Sequence, residues 1–246
     1  MKLVLLGTSG YHPTDRRQTA CLMLPEVGVV LDAGTGMYRV AERLTTEDLS
    51  IFLTHPHLDH VIGLTYLFSL AAQRPLGRVI VYGKQATLDT VEQLLFAPAI
   101  FPVRPPFETR PLPDEAILPD GGRLTHFPLQ HPGGATGFRL DWPTRSLAYV
   151  TDTTARPDAD YLEQVRGVDV LVHECFFPDT MPREAELTGH SCITPVAELA
   201  RAAGVGRLIL THLSPVPAIE AAIDPSAAQK IFPATEIGHD GLEIEF

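Results

Sequence analysis

Short apolar runs bounded by glycine, proline and polar residues recur along this chain and predict a fold rich in short strands. The first three apolar runs predict strands over 2–6, 19–24 and 29–31, with a hairpin turn at 25–28. From residue 37 onward, apolar runs alternate with stretches whose apolar residues recur at helical spacing. Strands are predicted at 49–54, 79–82, 168–172 and 207–211, and helices at 37–44, 61–72, 85–95 and 194–203.

This order of elements favours the α/β (α+β) class. A half-buried sheet or an amphipathic helix must cover its apolar side with another layer. Two sheets with helices on their outer sides meet that requirement, so we predict a four-layer αββα sandwich that forms a single domain over residues 1–246. A length of 246 residues and a hydrophobic fraction of 45% suffice for a core of that size.

A polar segment with three histidines follows the apolar run at 49–53 and is the most informative feature of the sequence. It reads THPHLDH over residues 54–60 and is called the metal loop below. Imidazole nitrogens and carboxylate oxygens are the ligands that zinc and similar divalent cations bind. Pro56 stiffens the turn that would hold these side chains at the end of a strand. The metal loop therefore predicts a site for one metal ion or for two.

Three further candidate ligands stand at the ends of apolar runs. His131 follows 127–130, Asp152 follows 147–151, and His212 follows 208–211. Histidines that serve only a core would show no preference for strand ends. The repetition therefore favours metal binding over a structural role.

Several segments together resemble a known family. The metal loop has the pattern HxHxDH, and a histidine, an aspartate and a histidine follow it in that order. The other segments are 6–10 (LGTSG) with Pro13 and Arg17, 31–36 (LDAGTG), 173–174 (HE), 189–191 (GHS), 210–214 (LTHLS) and 231–236 (IFPATE). In this combination the chain resembles the metallo-β-lactamase superfamily over nearly its whole length. It resembles most the ribonuclease Z branch and its phosphodiesterase relatives, and the likeness implies the same αββα sandwich.

The resemblance implies a ligand set for two divalent metal ions, with zinc as the first choice and manganese as the alternative. One ion would be held by His55, His57 and His131, the other by Asp59, His60 and His212, with Asp152 bridging the two. A hydroxide shared by two such ions is the nucleophile in sites of this kind.

The resemblance also implies roles for residues that work beside the metal ions. Asp59 takes a base-like role in addition to binding metal. His190 is implied as a general acid or charge stabiliser, oriented by Glu174. Asp32 is implied as a hydrogen-bond acceptor near the ligands and not as a ligand itself.

Two observations bear on the substrate. Ribonuclease Z proteins that process tRNA carry a long arm rich in glycine and lysine between the positions of His131 and Asp152, whereas 132–151 has room for one hairpin only. The formal net charge is −11, from 19 Lys and Arg against 30 Asp and Glu. Long nucleic acids are usually bound through a basic surface, so both observations disfavour such a substrate without excluding it.

The sequence therefore favours a dinuclear-zinc hydrolase that cleaves a small or cyclic-nucleotide-like phosphodiester with a metal-bridging hydroxide. The alternatives are a tRNA 3′-processing endonuclease of the ribonuclease Z type and a hydrolase of carbon esters, such as a lactonase or thioesterase. The pair formed by His190 and Glu174 favours phosphodiester chemistry, because a phosphorane needs additional charge stabilisation.

Other features of the sequence bear on the location and the covalent chemistry of the protein. No apolar run reaches the length of about 20 residues that a membrane helix needs. Three cysteines without CxxC spacing argue against a disulfide framework or a cysteine metal site. We expect a cytoplasmic protein that binds no membrane, and a homodimer is left open. The proline-rich segment 102–119 is predicted to be irregular, either at the mouth of the active site or as a plain surface loop.

Overall fold

The computed structural model describes residues 1–246. The chain divides into two compact units, one formed by residues 1–114 with 240–245, the other by residues 115–239 with Phe246. The single domain predicted over 1–246 stays a prediction. Each unit contains one seven-stranded sheet with its own helices.

The sheet of the first unit joins strands from both ends of the chain. It contains β1 (Lys2–Gly7), β2 (Cys21–Leu24), β3 (Val29–Leu31), β4 (Leu49–Phe52), β5 (Val79–Gly83), β6 (Glu108–Pro111) and β14 (Glu243–Glu245). The strand order is β14-β1-β2-β3-β4-β5-β6. Pairings from β14 to β3 are antiparallel, and those from β3 to β6 are parallel. The parallel strands β3 and β4 therefore end at the same edge of the sheet.

The helices of the first unit are shorter than predicted. They are α1 (Val40–Arg43), α2 (Leu58–Val61), α3 (Leu67–Gln73) and α4 (Gln85–Thr90), joined by 3-10 turns at Thr35–Arg39 and Ile62–Tyr66 and followed by a π-helical turn at Val91–Leu95. The continuous helices predicted at 37–44, 61–72 and 85–95 were therefore wrong in detail. At 61–72 the cause is close packing: a Cβ at Gly63 would lie 2.2 Å from the carbonyl oxygen of Gly34. This approach overrides the helical periodicity of the local sequence.

The sheet of the second unit repeats the same arrangement. It contains β7 (Glu115–Ile117), β8 (Arg123–Leu129), β9 (Ala135–Trp142), β10 (Arg145–Val150), β11 (Val170–Glu174), β12 (Arg207–Thr211) and β13 (Thr235–Ile237). Pairings from β7 to β10 are antiparallel, and those from β10 to β13 are parallel. The strand predicted at 207–211 is confirmed, and β9 and β10 form the single hairpin predicted after His131.

The helices of the second unit pack in one large hydrophobic cluster and one smaller cluster. They are α5 (Leu162–Val165), α6 (Pro182–Thr188), α7 (Ile193–Ala203), α8 (Pro217–Ala221) and α9 (Pro225–Ile231). Helix α7 buries one face, including Val196 and Ala200, against the sheet residues Leu171 and Leu208. It ends at Gly204, whose φ of 62° supplies the left-handed cap that terminates many helices. The helix predicted at 194–203 is confirmed.

The proline-rich segment 102–119 differs from its prediction as an irregular connection. It contains β6 and β7, the outermost strands of the two sheets. An edge strand tolerates proline because one side of its backbone pairs with no other strand. Pro111 is the last residue of β6, which pairs with β5 alone.

Two sheets accompanied by helices confirm the mixed α/β class and are consistent with the predicted αββα fold. None of the helices has the length and apolar character that a bilayer-spanning helix requires. The cysteines Cys21, Cys175 and Cys192 are buried and form no disulfide.

Candidate metal centre

The metal loop brings three imidazoles together at the end of β4. It leaves the strand after Phe52, and α2 begins at Leu58. The ring centroid of His55 lies 4.4 Å from that of His57 and 4.3 Å from that of His60. His55 and His60 are buried, whereas His57 is exposed. The loop therefore gathers nitrogen ligands of the kind that zinc binds.

Asp32 supports the metal loop from the neighbouring strand. It follows β3 with a φ of 60°, a left-handed conformation that is uncommon outside glycine. Its carboxylate accepts hydrogen bonds from the backbone N–H of Thr54 at 2.8 Å and the hydroxyl of Thr54 at 2.9 Å, and lies 2.8 Å from Nδ1 of His60. A carboxylate at Nδ1 fixes the ring so that Nε2 can bind a metal ion. The acceptor role that the family implies for Asp32 is confirmed.

Asp59 is held from outside the metal loop. Its Oδ2 accepts a 2.8 Å hydrogen bond from the backbone N–H of Tyr11 and lies 3.4 Å from Nε2 of His60. The Asp59 side chain is mostly buried, with 11% of its surface exposed. No pattern of residues indicated this contact, because a backbone donor is not visible in residue types.

A second group, here called the strand-end cluster, consists of His131, Asp152, His190 and His212. Asp152 follows β10 and His212 follows β12, with left-handed φ values of 49° and 53°. Oδ2 of Asp152 lies 3.5 Å from Nε2 of His131, and Oδ1 lies 3.3 Å from Nε2 of His212. Each carboxylate oxygen thus faces a different imidazole. This donor set fits a divalent cation, and a carboxylate with both oxygens presented can bridge two.

Gly189 determines which nitrogen His131 presents. Its carbonyl oxygen lies 3.0 Å from Nδ1 of His131, which leaves Nε2 directed at Asp152. The φ of Gly189 is 71°, and a Cβ at this position would lie 2.6 Å from Cδ of Pro132 and 3.0 Å from Nδ1 of His131. Glycine is therefore required here both by the backbone conformation and by the neighbouring ring.

His190 is linked to the buried carboxylate of Glu174. Nδ1 of His190 lies 3.1 Å from Oε1 of Glu174, whose side chain has no exposed surface. The backbone N–H groups of Thr153 and Phe176 also donate to Glu174, each at 3.1 Å. These bonds fix the carboxylate, and the carboxylate in turn fixes the ring of His190. The ligating atoms of His190, Asp152 and His212 lie within 4.8 Å of one another, so His190 stands beside the proposed ligands.

Phe176 is a neighbour of His190 that the sequence analysis missed. Its ring stacks on the imidazole with a centroid distance of 4.7 Å and an interplanar angle of 16°. Phe176 lies two residues after Glu174 along the chain, and this proximity was the only available signal. The stacked ring restricts the orientation of His190 from the side that Glu174 does not reach.

Two other titratable groups nearby have structural roles. Burial lowers the pKa of His173, which is consistent with a neutral ring placed 2.8 Å from both the Tyr161 hydroxyl and the Glu174 carbonyl oxygen. Burial raises the pKa of Cys192 to about 11, so its thiol is a poor source of thiolate. Neither group is suited to the chemistry of the site.

Comparisons with known proteins identify the family of the chain. The family described as "Beta-lactamase superfamily domain" matches residues 28–213. Ribonuclease BN of Escherichia coli O17:K52:H18 is 29% identical over 311 aligned positions that cover 98% of each chain. Human tRNase Z, short form, is 22% identical with a TM-score of 0.73, covering 100% of this chain and 99% of that one. A diphosphatase from the PhnP family is 22% identical with a TM-score of 0.74, covering 100% and 97%. At these identities the two structures show the fold alone.

Proposed function

Because the chain belongs to the beta-lactamase superfamily and is a metal-dependent hydrolase, we propose that it is a dinuclear-zinc phosphodiesterase acting on a small or cyclic-nucleotide-like phosphodiester. The proposed ligands are His55, His57, Asp59, His60, His131, Asp152 and His212. Manganese is the alternative metal. Two bound divalent ions supply Lewis acidity at the phosphoryl oxygens and a nucleophile at neutral pH.

The pair formed by His190 and Glu174 carries the choice of phosphodiester chemistry. Hydrolysis of a diester with a poor leaving group requires a proton at the departing oxygen or a positive charge near the phosphorane. The hydrogen bond at 3.1 Å holds Nδ1 of His190 on Glu174 and leaves Nε2 as the atom that carries the proton. In the proposed role, His190 donates a proton from Nε2 to the departing oxygen.

The surroundings of His190 support a small substrate. A cavity of about 500 Å³ is lined by His190 together with Thr154, Arg156 and Thr194. Small-molecule sites typically have volumes of roughly 300–1,000 Å³. Arg156 adds a positive charge to this lining, whereas Asp179 and Glu186 add negative charges. This volume suits a nucleotide or a simple diester and not an extended chain.

A tRNA 3′-processing endonuclease is the second candidate. Similarity over 98% of each chain to a protein named ribonuclease BN favours it. Against it stand the formal net charge of −11 and the hairpin of β9 and β10, which occupies the place of the tRNA-binding arm. We therefore rank it below the small phosphodiester.

A parallel activity panel distinguishes the candidates. Zinc- and manganese-loaded protein is assayed on bis-p-nitrophenyl phosphate, cyclic nucleotides, precursor tRNA and an acyl lactone. Turnover of the simple diesters with poor cleavage of precursor tRNA is the expected result. Efficient site-specific cleavage at a tRNA 3′ end would reverse the ranking, and turnover of the lactone alone would make the protein a carbon-ester hydrolase.

The His190→Ala variant tests the assigned role. It should keep its metal ions and lose roughly 10²–10⁴-fold in kcat, the range for removal of one general acid or charge-stabilising donor. The loss should be smaller on nitrophenyl diesters than on alkyl diesters, because a nitrophenolate leaves without protonation. If the variant instead loses metal, His190 is a ligand, and undiminished activity on every diester would remove it from the mechanism.

A further inference from the structure

The loop that follows β1 carries an exposed aromatic side chain on a strained backbone. Tyr11 has a φ of 62° and 76% of its surface is exposed. A bulky L-residue is disfavoured in this left-handed region, where glycine or asparagine is the usual choice. The ring returns little packing energy because most of it lies in solvent. Local strain without compensating burial is a mark of functional positions.

The backbone of Tyr11 is tied to the metal loop. Its N–H donates to Oδ2 of Asp59 at 2.8 Å, so the residue cannot shift without disturbing a proposed ligand. The ring meets His12 edge-on, with centroids 5.3 Å apart and planes at 60°. This edge contact orients the ring and leaves it largely exposed.

The base of the same loop is fixed by one buried carboxylate. Asp240 accepts hydrogen bonds from the N–H of Thr8 at 3.0 Å, the hydroxyl of Thr8 at 2.8 Å and the N–H of Gln18 at 2.6 Å. It also forms an ion pair with Arg39 at 2.5 Å, and 6% of its side chain is exposed. Both ends of the loop 8–18 are therefore anchored, and the Tyr11 ring is presented on a rigid support.

We propose that Tyr11 is a stacking platform for an aromatic ester group that stays on phosphorus during hydrolysis, either a nucleobase or a simple aryl group. The proposal rests on the proposed function and narrows its substrate class. Because the proposed function assigns His190 to the leaving oxygen, we assign the other ester group, which stays on phosphorus, to Tyr11. A tyrosine ring offers a flat, amphipathic contact at small conformational cost, and stacking tolerates any aromatic partner.

The test uses three substrates with one leaving group: the p-nitrophenyl esters of methyl phosphate, phenyl phosphate and thymidine 5′-phosphate. Tyr11→Asn removes the ring and keeps a residue that tolerates the left-handed backbone, so the hydrogen bond to Asp59 is retained. Tyr11→Phe keeps the ring and removes the hydroxyl. Metal content is measured for each variant to confirm that Asp59 is undisturbed.

Tyr11→Asn is expected to lower kcat/KM roughly 5- to 100-fold on the aromatic substrates, the range for loss of one stacked base, mainly through KM. Its loss of activity on the methyl ester should be clearly smaller, and Tyr11→Phe should retain more activity than Tyr11→Asn on both aromatic esters. A loss on the thymidine ester alone identifies a nucleobase, and a loss on both aromatic esters identifies any aryl group. Equal loss on all three substrates, or none on any, would overturn the stacking role. Failure of the parent protein to hydrolyse any of the three would instead contradict the proposed phosphodiesterase function.

Discussion

The two sheets have the same pattern of strand pairing but contribute to the proposed metal centre in different ways. Each has three antiparallel pairings followed by three parallel ones, and in each an aspartate with a left-handed φ follows the strand where the direction changes. In the first sheet this residue is Asp32, which lies behind the ligands and bonds to His60. In the second it is Asp152, which stands among the proposed ligands. The same position thus supports proposed ligands in one sheet and supplies a proposed ligand in the other.

The other proposed ligands also differ in how the chain brings them together. The metal loop takes all its ligands from six consecutive positions, and they depend on one another through local backbone geometry. The strand-end cluster takes three residues from separate strand ends and His190 from the connection between α6 and α7, so only the folded unit brings them together. Because the proposed shared ligand, Asp152, belongs to the strand-end cluster, its loss should affect both proposed metal ions, whereas the loss of one metal-loop ligand should affect one ion.

The largest expected effect is the loss of metal ions from Asp152→Ala, with His57→Ala as the comparison. Asp152→Ala removes the proposed shared ligand and should take the metal content from about two ions per chain to below one, with loss of activity. His57→Ala should weaken one ion and retain more metal. Metal analysis after dialysis against a weak chelator measures the difference. Asp120→Ala is the matched control, since Asp120 also has a left-handed φ of 59°, is exposed and belongs to none of the candidate ligand groups. Retention of two ions by Asp152→Ala would refute the bridging role of Asp152.

A methyl group at Gly189 tests how the strand-end cluster is positioned. Gly189→Ala should displace the ring of His131 and lower metal affinity about 10–100-fold, the usual effect of losing a group that orients a ligand. Gly204→Ala is the control, because Gly204 has a φ of 62° but a Cβ there would meet no atom within 4 Å. Both variants should lose roughly 1–2 kcal/mol of stability from backbone strain. Equal metal affinity in the two variants would show that Gly189 does not position His131.

Asp32 and Glu174 each support a histidine, but the loss of Asp32 should lower metal affinity and the loss of Glu174 should lower kcat. Asp32→Asn weakens the support of His60 and should lower metal affinity by about 10–100-fold. Glu174→Gln should retain metal and lower kcat by less than His190→Ala does, because it acts through the orientation and charge of that ring. Titration with zinc and steady-state kinetics measure the two effects separately. Loss of metal from Glu174→Gln would place His190 among the ligands.

The smallest effect is expected at Phe176. Aromatic pairs contribute about 0.5–1.5 kcal/mol beyond their buried area, so Phe176→Leu should reduce kcat by roughly 2- to 10-fold through looser positioning of His190. Phe176→Tyr keeps the stacked ring and should retain most activity. A kcat for Phe176→Leu equal to that of the parent protein would mean that Glu174 alone orients His190.

The sequence predicted the parts of the molecule that depend on local pattern. Strand ends and the metal loop were found because apolar runs and polar ligands alternate visibly, and Glu174 lies beside His190 as the resemblance implied. The interruption of the predicted helix near Gly63 was not predicted. It accompanies a close approach to Gly34, a residue too distant in the sequence to enter a local helical pattern. The contact of Tyr11 with Asp59 was also not predicted, because its donor is a backbone group 48 positions away.

The place of β14 in the first sheet has a consequence for the order in which the protein is built during translation. A chain emerging from the ribosome usually folds its earlier parts first. Here the first sheet lacks an edge strand, and the loop 8–18 lacks the carboxylate of Asp240, until residues 240–245 have been made. All strands of the second sheet are synthesised before that point. The first unit is thus begun first but completed last. A nascent chain can therefore contain every residue of the strand-end cluster before it contains the residues that anchor the loop 8–18 beside the metal loop.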